Sequence, residues 1–243
     1  MDLEAIKRKL NSLKNQTTKQ DILWKPEPGK QQVRIVPYQH NKENPFMELF
    51  FHYDLGKKNY LSPVTFGDAD PVMEFAEKLK STGNSDDWKL SRKLEPKMRT
   101  YVPVLVRGKE SEGVKFWGFG KKVYTELLGF ISDPDYGDIT DTDTGTDLVL
   151  QYGKAPGAMF PSTSLTPKRK ASPACKDEDN DCSGLLEEIP DFDGLFERKT
   201  TEDVQKLLDQ YMSAGEDKEE ITKFVAETGG DKVSKAFNEL LSE

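Results

Sequence analysis

The clearest alternation of apolar and polar positions runs through RTYVPVLVRG, with Val102, Val104 and Val106 on one side and Tyr101, Pro103 and Leu105 on the other. Period two predicts a strand, and Pro103, which has no N–H to give a ladder, points to an edge or a bulge. GKESEG turns the chain into VKFWGFG, so the two runs predict a hairpin. Further strands are expected at QVRIVPY, MELFFHY and LVLQY, each beside turn-forming residues. Helical spacing replaces alternation at Val72, Phe75, Ala76 and Leu79, and Pro71 suits the first turn of that helix. Residues 121–131 and TEDVQKLLDQYM also read as helices, and EEITKFVAETGGDKVSKAFNELLSE as a broken amphipathic one. KAPGAMFPSTSLTPKRKASP, with little periodicity, reads as an extended segment laid over the surface. The pattern as a whole predicts an α+β protein.

Charge changes this picture because it is unevenly distributed. The 243 residues carry a formal net charge of -8. Residues 1–173 hold 27 Lys and Arg against 23 Asp and Glu, whereas residues 174–243 hold 8 against 20. A basic body with an acidic tail suits a polyanion binder, though solvated surface charge alone would give the same count. No apolar run reaches the roughly 20 residues of a membrane span, so no membrane partner is expected and the location is read as cytoplasmic. Cys175 and Cys182 lie in the polar stretch SPACKDEDNDCSG and are expected to be reduced thiols in a loop.

Candidate chemistry gathers on the predicted hairpin. Lys115, Trp117, Phe119 and Lys121 share one face of its second strand, and Arg99, Tyr101 and Arg107 share one face of the first. Flat rings among cations suit single-stranded nucleic acid, since rings stack on unpaired bases and cations follow the phosphates. Phe160 and the triplet Lys168, Arg169 and Lys170 would extend that surface. The rings could instead fill a core, and the chain would then be a partner-binding scaffold with no affinity for nucleic acid.

Catalysis has little to draw on. DTDTGTD offers Thr146 and Tyr152 where a calcium loop wants Gly and Glu, and GFGKKV lacks P-loop spacing. With His40 and His52 the only histidines, the chain is read as no enzyme, and no cofactor is expected.

The series KRKL, GKQQVRIVPY, ENPFMELFFHYDLGKKNY, FGDADP, YVPVLV, EGVKFWGFGKKVY and GTDLVL resembles the single-stranded DNA-binding proteins of T-even-type bacteriophages, over residues 3–215. The resemblance implies an OB-like five-stranded barrel at 21–215 with a subdomain near 52–82 and a helical insertion at 68–82. It also implies a basic arm at 1–20 for cooperative binding between neighbouring copies, and an acidic tail at 216–243 for replication and recombination proteins. Lys7, Arg8 and Lys9 match the arm motif, and Trp117, Phe119, Lys121 and Lys122 match the strand lining the DNA cleft. One departure stands out: His52 holds the family's zinc-histidine position, but Val64, Val72 and Phe75 stand where it has cysteines. A lone histidine cannot hold structural zinc, so no metal is expected, and His52 becomes a partly buried strand residue beside apolar packing. The resulting expectation is sequence-tolerant coating of single-stranded DNA in phage replication, recombination and repair. Sequence-specific binding of single-stranded RNA stays open as the alternative, because stacking surfaces do not read the 2′-OH.

Overall fold

The computed structural model describes residues 22–53, 55, 59–175, 182–192 and 194–214. The chain is a mixed α+β protein that divides into two compact units, one built from residues up to Met47 and Thr100–Leu195, the other from Glu48–Arg99 and the chain from Phe196. Lys7, Arg8, Lys9 and the acidic tail 216–243 lie outside the described residues.

Among the described residues, the first unit is a sheet with one long helix. Its strands are β1 (Leu23–Trp24), β2 (Gly29–Ile35), β5 (Lys97–Val106, from Thr100 on in this unit), β6 (Lys115–Gly120), β7 (Leu148–Gly153) and β8 (Ser162–Pro167). Their order is β1-β6-β5-β2-β7-β8, an open path whose ends, among the described residues, are β1 and β8. Two features depart from the sequence expectation. Pro103 lies in an interior strand, flanked by β6 and β2, and its carbonyl accepts the Val36 N–H at 3.1 Å. Residues 162–167, expected as an irregular surface segment, form the strand β8, paired antiparallel with β7 from Leu148↔Pro167 to Gly153↔Ser162. Its apolar signal is thin because only Leu165 and Pro167 turn inward.

The helix Lys121–Ser132 follows β6 directly, where residues 121–131 read as a helix, and it buries Val123, Tyr124 and Leu127. Aromatic side chains fill both faces of β6. On one face Trp117 meets Trp24 edge-on at 6.1 Å and Phe119 at 4.5 Å, and Phe46 stacks on Tyr124. On the other, Phe116 lies against Tyr38 and Phe192. Burial of each such ring contributes about 1.5–3 kcal/mol.

Among the described residues, the second unit holds β3 (Met47–His52, from Glu48 on in this unit) paired with β4 (Tyr60–Leu61), and three helices at Pro71–Ser81, Ser85–Leu94 and Thr201–Ala214. In chain order, with the short helix Ser183–Glu187 of the first unit, the helices among the described residues are α1 (Pro71–Ser81), α2 (Ser85–Leu94), α3 (Lys121–Ser132), α4 (Ser183–Glu187) and α5 (Thr201–Ala214). Helix α1 starts as its sequence predicts, with Asp70 capping the Val72 and Met73 N–H groups and Pro71 in the first turn. Helix α2 was not anticipated, although Asn84 caps the Asp86 N–H and two acidic residues occupy its first turn. Val72, Phe75, Ala76, Leu79 and Leu94 pack with Val204 and Leu208 of α5.

His52 is fully buried rather than partly so. Its Nδ1 is 2.9 Å from the Leu94 carbonyl and its Nε2 2.7 Å from Asp70 Oδ2, which also accepts the Ser62 hydroxyl. Val72 and Phe75 are wholly buried core residues, and Val64 sits half-buried in the 3-10 turn Pro63–Phe66.

The cysteines correct another expectation. Cys175 and Cys182 form a disulfide, with Cα atoms 5.6 Å apart, inside the span that a bridge allows. The polar composition around them hid this because seven positions of chain separation return the second sulfur to the first.

Candidate nucleic-acid interface

The rings singled out in the sequence are not on the surface. Trp117 is 1% exposed and Phe119 4%, each beneath other aromatics. Tyr101, also buried, lies over Gly118 on the opposite face from Trp117, so closely that a Cβ at Gly118 would come within 2.5 Å of its ring. Gly118 is therefore a packing requirement. The expected platform of Tyr101, Trp117 and Phe119 is core, because β6 is covered on both faces and alternation does not give it a solvent side.

The cations placed with those rings also have other partners. Arg107 Nε and Nη2 reach the two carboxylate oxygens of Asp147 at 3.1 and 2.9 Å, and its remaining donors take the carbonyls of Pro173 and Ala174. Its fork is committed inside the unit, which removes it as a phosphate contact. Lys115 pairs with Glu112 at 2.6 Å, and Arg99 is half-buried in the second unit. Lys121 and Lys122 are exposed at the start of α3. A helix N-terminus carries partial positive charge, so two lysines there gain nothing from the helix itself. Lys122 borders a shallow depression with Thr125, Glu126, Thr163 and Ser164.

A different surface emerges on the outer face of β2, β7 and β8. Antiparallel register aligns Lys30 with Gln151 and Gln151 with Ser164, and in the next row Gln32 with Val149 and Val149 with Thr166. Directly paired residues share a face, so these six side chains, five polar and Val149, form one sheet surface with Ser162 beside them. Lys30, Gln151, Ser162, Ser164 and Thr166 are exposed, whereas Val33, Leu148, Leu150 and Leu165 on the reverse face are buried. At one margin a cleft of about 500 Å³ is lined by Lys30, Gln32, Arg107, Lys109, Val149 and Lys168, with Glu27 holding Lys109 at 3.2 Å. Lys168, Arg169 and Lys170 continue from β8, all exposed. At the other end of β8, the turn from β7 carries Lys154, Met159 and Phe160, the last two 78% and 73% exposed. Among the described residues, Lys30, Lys154, Lys168, Arg169 and Lys170 have no ion-pair partner.

Phe160 and the 168–170 triplet, singled out in the sequence, lie at the surface, and the structure sets Lys30, Lys109, Lys154 and Met159, which the sequence reading did not name, around the same face. The signal for the face was the SxSxT alternation of Ser162, Ser164 and Thr166 leading into the basic triplet.

Beneath this surface sits a buried charge cluster. Arg34, fully buried, gives Nε to Asp147 Oδ1 at 2.9 Å, and Gln32 Nε2 donates to Oδ2. Burial alone would raise the Asp147 pKa; the Arg107 and Arg34 guanidiniums and the Gln32 amide more than offset it and hold the carboxylate below its ordinary value. Burial pushes Arg34 down from its own ordinary value, and the neighbouring Arg107 adds to that.

No protein-family model and no curated protein matches this chain. No described helix is long and apolar enough to cross a membrane.

Proposed function

We propose that this protein binds single-stranded DNA, with little regard to sequence, on the outer face of β2, β7 and β8. The observation that carries the reading is the run of unpaired cations, Lys30, Lys154, Lys168, Arg169 and Lys170, around a flat polar sheet that ends in exposed Met159 and Phe160. Cations at that spacing attract a phosphate backbone, and Phe160 offers its ring to an unpaired base. The face is built from a row of hydroxyl, amide and lysine side chains along the sheet and not around one base edge, so binding tolerates sequence. In this reading the open sheet is a variant of the OB-like barrel implied by the resemblance to the phage proteins, and the protein acts by stoichiometric coating, not catalysis. Coating one strand withdraws it from the duplex equilibrium by mass action. The resemblance extends the proposal to contact between neighbouring copies through Lys7, Arg8 and Lys9, to partner proteins at the acidic tail, and to a cytoplasmic role in phage replication, recombination and repair.

The test is titration of the full chain with poly(dT), poly(U) and duplex DNA at several salt concentrations. Binding that favours poly(dT) and falls with salt is expected. Equal preference for poly(U) would move the function to RNA, and no binding to any of the three would leave the acidic-tail scaffold as the better account.

A further inference from the structure

The segment that carries Lys168, Arg169 and Lys170 is held by one buried carboxylate acting through two arginines. Asp147 is 3% exposed and receives Arg34 Nε, Arg107 Nε and Arg107 Nη2 within 3.1 Å. The far ends of both guanidiniums point away from it to the backbone just after the basic triplet. Arg34 Nη2 donates to the Ser172 hydroxyl at 2.9 Å and to the Ser172 carbonyl. Arg107 Nη2 donates to the Pro173 carbonyl at 2.8 Å and Nη1 to the Ala174 carbonyl at 2.6 Å. The backbone is tied in parallel: the Lys168 N–H donates to the Asp147 carbonyl at 2.9 Å, and the Ala174 N–H to the Thr142 carbonyl at 2.7 Å. Both ends of the basic stretch are therefore anchored, and the stretch between bears three exposed cations.

Chemistry makes the arrangement hard to replace. A guanidinium presents planar donors in a fixed fork, so one Arg107 can take a carboxylate on one edge and two carbonyls on the other. Lysine keeps the charge but cannot span these acceptors. Removing the Asp147 charge leaves two buried guanidiniums facing each other with only the distant Glu110, 3.9 Å from Arg107 Nη1, and Asp141 to oppose their charge, which is strongly unfavourable. Gly145 shows how tightly the loop closes: a Cβ there would lie 2.9 Å from Arg34 Nη1 and closer still to the Asp141 carbonyl.

We infer that Asp147, through Arg34 and Arg107, is a positioning residue for polyanion binding, fixing the Lys168–Lys170 ridge against the cleft that Lys30 and Lys109 line. The inference rests on the binding face proposed above. Held in place, the ridge meets successive phosphates together as a preformed wall; released, it stands away from the strand and those phosphate contacts are not made.

The experiment measures the salt dependence of poly(dT) affinity for the full chain and its variants, with thermal melting to confirm folding. Replacing Lys168, Arg169 and Lys170 by Ala is expected to lower the log–log salt slope by about 2, at roughly 0.7 per lost phosphate contact. Arg107→Lys, which preserves the charge in the cleft, is expected to lower the slope by a similar amount, and so is Asp147→Asn. Combined with the triple replacement, either should add no further loss of slope. A variant that melts earlier yet keeps the wild-type slope would reduce the cluster to a purely structural role and overturn the inference. So would additive losses. If Asp147→Asn does not fold, Arg107→Lys decides alone. An unchanged slope in the triple replacement would overturn the binding face itself, whereas a lowered slope there with a normal slope in Arg107→Lys would overturn only the positioning role.

Discussion

Strand β6 reads KFWGFG and strand β8 reads STSLTP, two six-residue strands of the same unit. By composition the first looks like a place to stack bases and the second like filler. In the fold β6 lies between β1 and β5, with Trp24 and Tyr124 aromatics over one face and Tyr38 and Phe192 over the other. Strand β8 ends the sheet and leaves Ser162, Ser164 and Thr166 to solvent. The difference shows that aromatic and cationic interleaving reports on composition, while exposure is settled by what the rest of the chain lays over the strand. A basic face next to a modest hydroxyl strand is then a better substrate for phosphates than a rich aromatic strand that the core has claimed.

The sharpest way to break this comparison is Trp117→Ala. As a core deletion it should cost about 3–5 kcal/mol of stability in denaturant unfolding, with the folded fraction binding poly(dT) at the wild-type salt slope. Wild-type stability with lost binding would restore β6 as the stacking surface. Phe160→Ala should do the reverse, moving stability by no more than about 0.5 kcal/mol and weakening poly(dT) binding by about 1–3 kcal/mol in fluorescence or calorimetric titration.

Much of the fold was legible in the sequence because its signals were local. Helix α1 declared itself through Asp70, Pro71 and the Val72, Phe75, Leu79 spacing, and α3 and α5 through theirs. Strand β8 was not legible because its partner β7 lies across a turn rich in Pro and Gly, and one inward leucine is too weak a period. The burial of β6 was invisible for another reason: Trp24, over the Trp117 face, and Phe192, over the Phe116 face, come from positions about 90 residues before it and 75 after. The Arg34–Asp147–Arg107 cluster is likewise long-range, and no spacing rule connects positions 34, 107 and 147.

Acid sharpens the contrast between the two units, since each contains a buried carboxylate held below its ordinary pKa. For Asp70, burial would raise it, but His52, the Ser62 hydroxyl and the Met73 N–H outweigh that; for Asp147 the arginines do so. A carboxylate depressed in the folded state adds stability that is fully present above its unfolded value, about 3.9, and is lost as pH falls through the folded value. Stability should therefore be flat from neutral pH to about 5 and then decline, by up to about 1.4 kcal/mol per pH unit for each proton taken up. Asp70→Asn or Asp147→Asn should lower stability at pH 7 and flatten the acid limb in denaturant titrations from pH 7 to 3. A limb unchanged in both variants would place the acid sensitivity elsewhere.

The smallest expected effect is at a single cation of the outer face. Lys30→Ala should reduce the salt slope of poly(dT) binding by about 0.7 and leave melting unchanged. An unaltered slope would take Lys30 out of the interface and narrow it to the β8 side.

The central claim is that the strand lies across β2, β7 and β8, and photocrosslinking locates it most directly. An oligo(dT) carrying 5-bromodeoxyuridine, irradiated with the full-length protein and mapped by mass spectrometry, should attach within residues 154–170, with Phe160 among the modified positions. Attachment at Trp117 or Phe119, with residues 154–170 unmodified, would contradict the account.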